Sequence, residues 1–135
     1  MPPAPPVVVV VDVANVMGSR PDGWWRDRAG AATRLLALMP DLVGRAVHDA
    51  DGGESTIERL VAVLEGQAKA ASAPGGIEVV RAPADGDAAI VETAAALASA
   101  GERVLVVTAD RGLRARLPDG VATTGQRWFN ELVGR

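Results

Sequence analysis

Two hydrophobic runs in this sequence each lead into an aspartate. Residues 7–11 stop at Asp12, with Asn15 three positions later, and residues 104–107 are followed closely by Asp110. Continuous runs of aliphatic residues are typical of strands buried on both faces of a parallel sheet, and ligands bind at the carboxyl ends of such strands. Two carboxylates at that edge repel each other unless a cation neutralises them. The pair therefore predicts a site for Mg²⁺ or Mn²⁺.

Two further acids are predicted at the same edge. Glu65 ends another apolar run, and Asp87 follows a short predicted strand and opens an alanine-rich segment. We expect Asp12, Asp87 and Asp110 to hold the metal, with Glu65 as a further candidate and Asn15 orienting Asp12. Simpler interpretations stay open for single residues, because aspartates also cap helices and a glutamate at a strand end can be a solvated charge.

Composition removes several other chemistries. The 135 residues include no cysteine, no tyrosine and one histidine, His48. Disulfides, thiolate metal sites and a two-histidine ribonuclease mechanism are therefore excluded. The phosphate-loop and dinucleotide-binding glycine patterns are also absent from the sequence. Any catalysis by this chain would rest on carboxylates and arginines, and His48 is expected to be structural.

Arginine dominates the basic residues. Thirteen of the 14 are arginine, while the net charge is −3, so any affinity for nucleic acid must come from local groups. The arginines form two clusters, each following one strand-end acid: Arg20, Arg26 and Arg28, and then Arg111, Arg114 and Arg116. We expect Arg26, Arg111 and Arg114 to contact phosphates, which suit the guanidinium fork.

All four aromatic residues lie in two adjacent pairs, Trp24–Trp25 and Trp128–Phe129. Neighbouring side chains point apart, so one ring of each pair should face the core. We expect Trp25, Trp128 and Phe129 to be anchors in the core. Trp24 is the expected platform on which an RNA base stacks beside the metal site.

Alternating strands and helices predict a single α/β domain over residues 7–135, after a disordered proline-rich tail of residues 1–6. The predicted strands are residues 7–12, 60–64, 77–80, 103–108 and 121–123, and the predicted helices are residues 28–39, 87–100, 111–117 and 126–133. Residues 13–27 are expected to be a long loop, residues 41–50 a helical piece rather than a strand, and residues 51–53 a turn. We predict a Rossmann-like, three-layer arrangement with a parallel sheet of strand order 3-2-1-4-5 and helices on both faces.

No signal peptide or membrane span is recognisable, so we expect a cytoplasmic protein without a membrane partner.

Four segments resemble motifs of the NYN domain, a PIN-like nuclease family. DVANVMGSRPDGWWRDRAGAA is similar to the opening of NYN domains, and VVTADRGLRARL to their later strand and helix; GDAAIVE and VAVLEG resemble two shorter motifs. The resemblance extends over residues 7–133 and points to small actinobacterial-type NYN proteins. It implies a PIN/NYN fold and cleavage of RNA, single-stranded by expectation, with Mg²⁺ or Mn²⁺. It also implies that Asp12, Asn15, Asp87 and Asp110 are the catalytic residues.

The sequence departs from the NYN pattern at two positions. Val13 replaces the usual glycine after the first aspartate, and Ala88 stands where a second aspartate is expected. Two alternatives to a metal-dependent ribonuclease therefore stay open. The first is an RNA-binding NYN module that has weak activity or none. The second is a phosphohydrolase that acts on small nucleotides.

Overall fold

The computed structural model describes residues 4–48 and 52–135. Six strands occur in this part of the chain: β1 (Pro6–Asp12), β2 (Ala46–His48), β3 (Glu54–Leu64), β4 (Glu78–Arg81), β5 (Val104–Val107) and β6 (Ala122–Thr124). Five α-helices accompany them: α1 (Val13–Met17), α2 (Arg28–Ala37), α3 (Gly86–Ser99), α4 (Arg111–Arg116) and α5 (Gln126–Val133). Short 3-10 turns cover Trp24–Arg26, Pro40–Leu42 and Gly66–Ala70.

The sheet has six strands, of which five are parallel and one is antiparallel, so the predicted parallel sheet of five strands is matched in part. β1 is central and pairs with β3 on one side and β5 on the other, β4 pairs with β3, and β6 pairs with β5. The order β4-β3-β1-β5-β6 corresponds to the predicted 3-2-1-4-5. Because all five strands run the same way, their carboxyl ends meet at one edge, which we call the carboxyl edge.

The prediction was incomplete at β2 and β3. Residues 41–50 were expected to favour a helical piece, but Ala46–His48 form a strand antiparallel to the start of β3; residues 49–51, including part of the expected turn, lie outside the described residues. β3 begins at Glu54, six residues before the predicted start. Ser55 and Ile57 are buried there while Glu54 and Glu58 are exposed, so this half of β3 alternates instead of showing a continuous apolar run.

Two cores cover the two faces of the sheet. Alternate residues of β1 point to opposite faces, with Val9 in one core and Val10 in the other. Helices α1, α2 and α5 pack on the first face, where Phe129 is fully buried, and α3 and α4 pack on the second. The result is the predicted three-layer architecture, with aliphatic side chains making up nearly all of both cores.

Two segments differ from the prediction. Pro6 already belongs to β1, and the Pro5 carbonyl accepts a hydrogen bond from the Thr56 N–H at 2.9 Å. The fold therefore includes two residues that we expected in a disordered tail. The predicted loop of residues 13–27 contains helix α1 and a 3-10 turn.

No helix in the described ranges is long and apolar enough to cross a membrane.

Candidate functional site

Asp12 is the buried carboxylate at the centre of the carboxyl edge. It ends β1, is 7% exposed, and caps helix α1. Its Oδ1 accepts the Asn15 N–H at 3.2 Å, and its Oδ2 accepts the Thr108 hydroxyl at 2.8 Å. These bonds fix the orientation of the carboxylate. Asp12 therefore caps a helix, as the simpler interpretation has it, and its second oxygen lies at the predicted edge.

Thr108 was missed by the sequence reasoning, although it organises this edge. It is fully buried just after β5, and its hydroxyl oxygen also accepts the Asp110 N–H at 3.2 Å. Its backbone N–H donates to the Thr124 carbonyl at 2.8 Å, which ties it to β6. A hydroxyl residue that interrupts an apolar run immediately before Ala-Asp was the available sequence signal.

Asn15 holds Asp12 through its backbone and braces the loop after β5 through its side chain. Its backbone N–H, not its side chain, holds Asp12. The side-chain Oδ1 accepts the Ala109 N–H at 2.9 Å and so fastens α1 to the loop after β5. Asn15 therefore fixes the distance between the two strand ends that carry Asp12 and Asp110.

Asp110 and Asp87 lie at the amino ends of helices α4 and α3. Asp110 is exposed and caps α4, its Oδ1 accepting the Leu113 N–H at 3.0 Å. Asp87 is not a cap, because Asp85, which we had expected to be plain loop surface, accepts the Asp87 N–H at 2.9 Å. No hydrogen bond to the Asp87 carboxylate occurs among the described residues. Its position is thus not explained by capping.

Glu65 is anchored rather than solvated. It is half-buried after β3, and its Oε2 accepts the Gly86 N–H at 3.0 Å. A Cβ added at Gly86 would lie 2.3 Å from that oxygen, so the contact requires glycine. This close approach joins the end of β3 to the start of α3, on which Asp87 lies.

The acids at this edge share one electrostatic environment. Burial raises the pKa of Asp12, the hydrogen bonds from Thr108 and Asn15 oppose that rise, and the charges of Asp87 and Glu65 add to it. The pKa of Asp87 is also raised, first by burial and then by Asp110, Asp85 and Glu65, while Arg116 lowers it. Carboxylates that disfavour each other's ionisation are a setting in which a cation is favourable.

The donor set fits a hard cation that keeps part of its water shell. Within the described part of the chain, no group of three or more His, Cys, Asp or Glu side chains is arranged to hold one ion. Mg²⁺ is usually held by one or two carboxylates, with water and substrate oxygens completing its shell. Oxygen donors alone, without thiolate or imidazole, suit Mg²⁺ and Mn²⁺ better than softer metals.

The structure reverses the expected roles of the first tryptophan pair. Trp25 is 48% exposed, whereas Trp24 is half-buried and packs against the core. The rings meet edge to face with centroids 5.8 Å apart. The 3-10 turn that contains both residues follows Gly23 at a φ of 87°, and it directs Trp24 inward over Gly18. In the second pair, Phe129 is buried and Trp128 is half-buried, as predicted.

Trp24 nevertheless borders a cavity beside the carboxylates. The cavity has a volume of about 450 Å³, and its lining includes the Trp24 ring, Arg28 and Glu65. The Arg28 guanidinium lies 5.2 Å from the centroid of the Trp24 ring. We call this space the tryptophan cavity. Its size and its aromatic wall suit a planar ring.

The three predicted phosphate-binding arginines are not equivalent. Arg26 and Arg111 are exposed, and the Arg26 guanidinium lies 5.8 Å from the centroid of the Trp25 ring. Arg114 is half-buried, and its Nε and Nη2 donate to the Thr108 carbonyl at 2.9 and 2.6 Å. Arg114 therefore braces the loop of Thr108 with two of its donors. His48 is exposed, and its carbonyl accepts the Trp128 Nε1–H at 2.7 Å, a structural contact.

Comparisons with known proteins identify the fold. No protein-family model matches this chain, and no curated protein is significantly similar to it in sequence. A crystal structure of Rae1 (YacP) from Bacillus subtilis, in a tryptophan-to-leucine mutant, superimposes with a TM-score of 0.71 at 19% identity, covering 95% of this chain and 75% of Rae1. A second Rae1 structure gives a TM-score of 0.66 at 17% identity, over 94% and 73% of the two chains. This chain therefore has the fold of Rae1.

Proposed function

We propose that this protein is a metal-dependent ribonuclease whose active site is the carboxylate group at the carboxyl edge. The observation that carries the proposal is Asp12, a buried carboxylate that is held in place by two hydrogen bonds and surrounded by other acids. The cap of α1 accounts for one oxygen of this carboxylate, but it does not account for the other acids gathered around it. Catalytic groups with perturbed pKa values cluster at functional sites, which favours chemistry here.

The residues take distinct roles in this proposal. One or two of Asp12, Asp87 and Asp110 would hold Mg²⁺ or Mn²⁺, with Glu65 as a further candidate, and water and substrate oxygens would complete the shell, since no three described acids are arranged around one point. Such an ion, when bound, lowers the pKa of a coordinated water and stabilises charge on a phosphate. Thr108 and Asn15 hold Asp12 and Asp110 in register, so the acids need little reorganisation on binding.

RNA is the proposed substrate because of the NYN resemblance and the groups around the acids. The fold shared with Rae1 supports an NYN-type domain. The closer likeness to actinobacterial-type NYN proteins stays a prediction, as do the cytoplasmic location and the preference for single strands. Arg26 and Arg111 are exposed and suited to phosphate contacts, and the tryptophan cavity has a size and a wall suited to a base.

Two alternatives keep a specific observation in their favour. Ala88 lies half-buried in the first turn of α3 next to Asp87, where a second carboxylate would strengthen a metal site. The absence of a carboxylate at position 88 favours an RNA-binding module of weak or no activity. The tryptophan cavity, with Arg28 on its wall, would also admit a free nucleotide, which favours a small-nucleotide phosphohydrolase.

One set of assays separates the three functions. Labelled single-stranded RNA, single-stranded DNA and the four nucleoside triphosphates are each incubated with the protein in Mg²⁺, in Mn²⁺ and in chelator. The proposal expects cleavage of RNA with metal only. RNA binding without cleavage would identify the binding module, and hydrolysis of triphosphates alone would identify the phosphohydrolase.

Metal binding has a readout that is independent of activity. A cation that binds the folded state alone raises its melting temperature, and the rise grows with the ratio of the cation concentration to its Kd. We expect Mn²⁺ to raise the melting temperature of the wild type and to have a smaller effect on Asp12→Asn. Equal shifts for the two proteins would place the metal elsewhere.

A further inference from the structure

A second cavity at the carboxyl edge is lined by arginine instead of carboxylate. It has a volume of about 480 Å³ and lies between the segment after α1 and the start of α5. Its charged side chains are three arginines and one glutamate: Arg20, Arg127, Arg135 and Glu131. We call it the arginine pocket. A local excess of positive charge is unexpected in a chain whose net charge is −3.

The floor of the arginine pocket is a fixed hydrogen-bond network. Asn130 is 8% exposed, and its Nδ2 donates to the Ser19 hydroxyl at 2.9 Å. Arg135 donates through Nη1 to Asn130 Oδ1 at 3.2 Å and through Nη2 to Asp22 at 3.5 Å. The Ser19 hydroxyl in turn donates to the Val16 carbonyl at 2.6 Å. The concave shape is therefore held before any ligand arrives.

The rim carries arginines that are available to an anion. Arg20 is exposed, and within the described ranges its guanidinium forms no hydrogen bond or ion pair. Arg127 pairs with Glu131 at 3.3 Å, but the two side chains are 93% and 70% exposed, so solvent weakens the pair. Either guanidinium can turn toward a phosphate without losing a buried contact.

The helix that borders the arginine pocket adds unsatisfied donors. Helices α1 to α4 each begin with an aspartate whose side chain accepts a backbone N–H. The cap residue before helix α5 is Gly125, which has no side chain to accept a backbone N–H. The first N–H groups of α5 thus complement an anion that the arginines attract.

The arginine pocket is next to the carboxylates. It starts at Gly125, directly after Thr124, and the Thr124 carbonyl accepts the Thr108 N–H at 2.8 Å. Thr108 also donates to Asp12, so two hydrogen bonds and one peptide link connect the two sites. Acids repel a polyanion, so a strand held at the carboxylates needs a cationic contact close by.

We propose that the arginine pocket binds a backbone phosphate of the RNA strand, away from the bond that is cleaved. This inference rests on the proposed function and adds the direction in which the strand leaves the carboxylates, across α1 toward the start of α5. Arg20 and Arg127 contact the phosphate, while Arg135 and Asn130 shape the pocket.

The test measures binding of a 12-nucleotide single-stranded RNA in chelator, at several salt concentrations. Each phosphate contact contributes a slope of about 0.7 in the salt dependence for single strands, so loss of this one phosphate in Arg20→Gln with Arg127→Gln should flatten the slope by about 0.7 and weaken binding about fivefold at about 0.1 M salt. Arg59→Gln removes one charge elsewhere and is the control for net charge, because Arg59 pairs with Glu78 and lies beside Val8 at the other end of β1. It should leave the slope unchanged.

A second variant keeps the result independent of folding. Gln126→Glu places an acid in the first turn of α5 and in the arginine pocket. It should preserve or raise the melting temperature, because acids favour a helix amino terminus, yet weaken RNA binding by repulsion.

The outcomes distinguish the two proposals. If the wild type binds RNA and the arginine double variant binds equally well with the same slope, the pocket inference is overturned and the proposed function stands. A loss of equal size in Arg59→Gln would assign the effect to net charge and would also overturn the inference. If the wild type binds no RNA in chelator at any salt concentration, the pocket inference is overturned, while the proposed function is decided separately by RNA cleavage in Mn²⁺.

Discussion

The Thr108 hydroxyl donates to Oδ2 of Asp12 across 2.8 Å and accepts the Asp110 N–H at 3.2 Å, so one buried side chain links the two strand-end aspartates. Thr108 and Asp12 are 96 residues apart in the sequence, so the bond joins two distant strand ends. A hydroxyl can serve both because it donates and accepts at once. The Thr108 hydroxyl therefore couples the positions of the two aspartates.

Removing this hydroxyl should damage the fold and the site together. Thr108→Val leaves a buried carboxylate oxygen and a backbone N–H without their partner, at an expected cost of about 1–3 kcal/mol in the free energy of unfolding. Thr108→Ser keeps the hydroxyl and loses one methyl group, at a cost of about 0.8 kcal/mol. Urea denaturation compares them. Equal losses in the two variants would mean that the hydroxyl does not hold Asp12.

The charge on Asp12 should oppose folding when metal is absent. Its folded-state pKa is raised, whereas the unfolded value is about 3.9. Below about pH 4 the Asp12 carboxyl is protonated in both the folded and the unfolded protein, so it has no charge to bury. As the pH rises through the folded-state pKa, the folded protein loses stability because this buried carboxyl must ionise. Asp12→Asn lacks this loss, so in chelator it should be more stable than the wild type at neutral pH, and the difference should vanish in acid.

Glu78 provides a control for that pH series, because its pKa shift is opposite in direction to that of Asp12. The hydrogen bond from Arg59 lowers its pKa. Its contribution is thus present at neutral pH and lost as the pH falls through the folded pKa, and Glu78→Gln should remove it. Because the pair is largely exposed, the effect should be small and salt-sensitive. A stability gain in Glu78→Gln at neutral pH would show that the sign is wrong.

Gly86 should not tolerate a side chain. Gly86→Ala sets a Cβ against the Glu65 carboxylate and should destabilise the protein by about 1–3 kcal/mol. In a Glu65→Ala background the cost should shrink, since the clashing atoms are gone. Gly75→Ala is the control, because a Cβ there meets open space. Thermal melting compares Gly86→Ala, Glu65→Ala, the double variant and Gly75→Ala. An unchanged melting temperature in Gly86→Ala would argue against the close approach of β3 and α3.

Alanine substitutions of the two tryptophans should differ in their effect on stability, because Trp24 packs against the core and Trp25 is exposed. Trp24 packs against the core, so Trp24→Ala should cost about 3 kcal/mol or more and also weaken RNA binding at the tryptophan cavity. Trp25→Ala, at an exposed position, should change stability by about 0.5 kcal/mol or less. Denaturation and RNA titration followed by fluorescence check both effects. A stable Trp24→Ala variant would restore the original assignment of the pair.

The parallel sheet could be predicted because residues 7–11 and 104–107 are apolar without interruption, as strands covered on both faces must be. β2 and the first half of β3 could not, since Glu54, Glu58 and Arg59 break the apolar pattern where the sheet meets solvent. β2 pairs antiparallel with this polar start of β3.

Positions in the candidate site were predictable, but their contacts were not. Asp12, Asp87 and Asp110 were found because they follow predicted strands. Spacing alone could not show that Asp85 caps α3 or that Trp24 turns inward, because these outcomes depend on the φ and ψ angles of a few residues in the loops. Thr108 escaped notice since a threonine at a strand end is ordinary in sequence.

The most direct test is the cleavage rate of a labelled single-stranded RNA by the wild type, Asp12→Asn and Asp119→Asn in Mn²⁺. Asp119 is an exposed turn residue before the start of β6, at the edge of the sheet opposite the carboxyl edge, and its variant loses the same charge. We predict that the wild type and Asp119→Asn cleave at similar rates, while Asp12→Asn is slower by at least about 100-fold, on the order of losing one key electrostatic group. Wild-type rates in Asp12→Asn, or no cleavage by the wild type, would contradict the account.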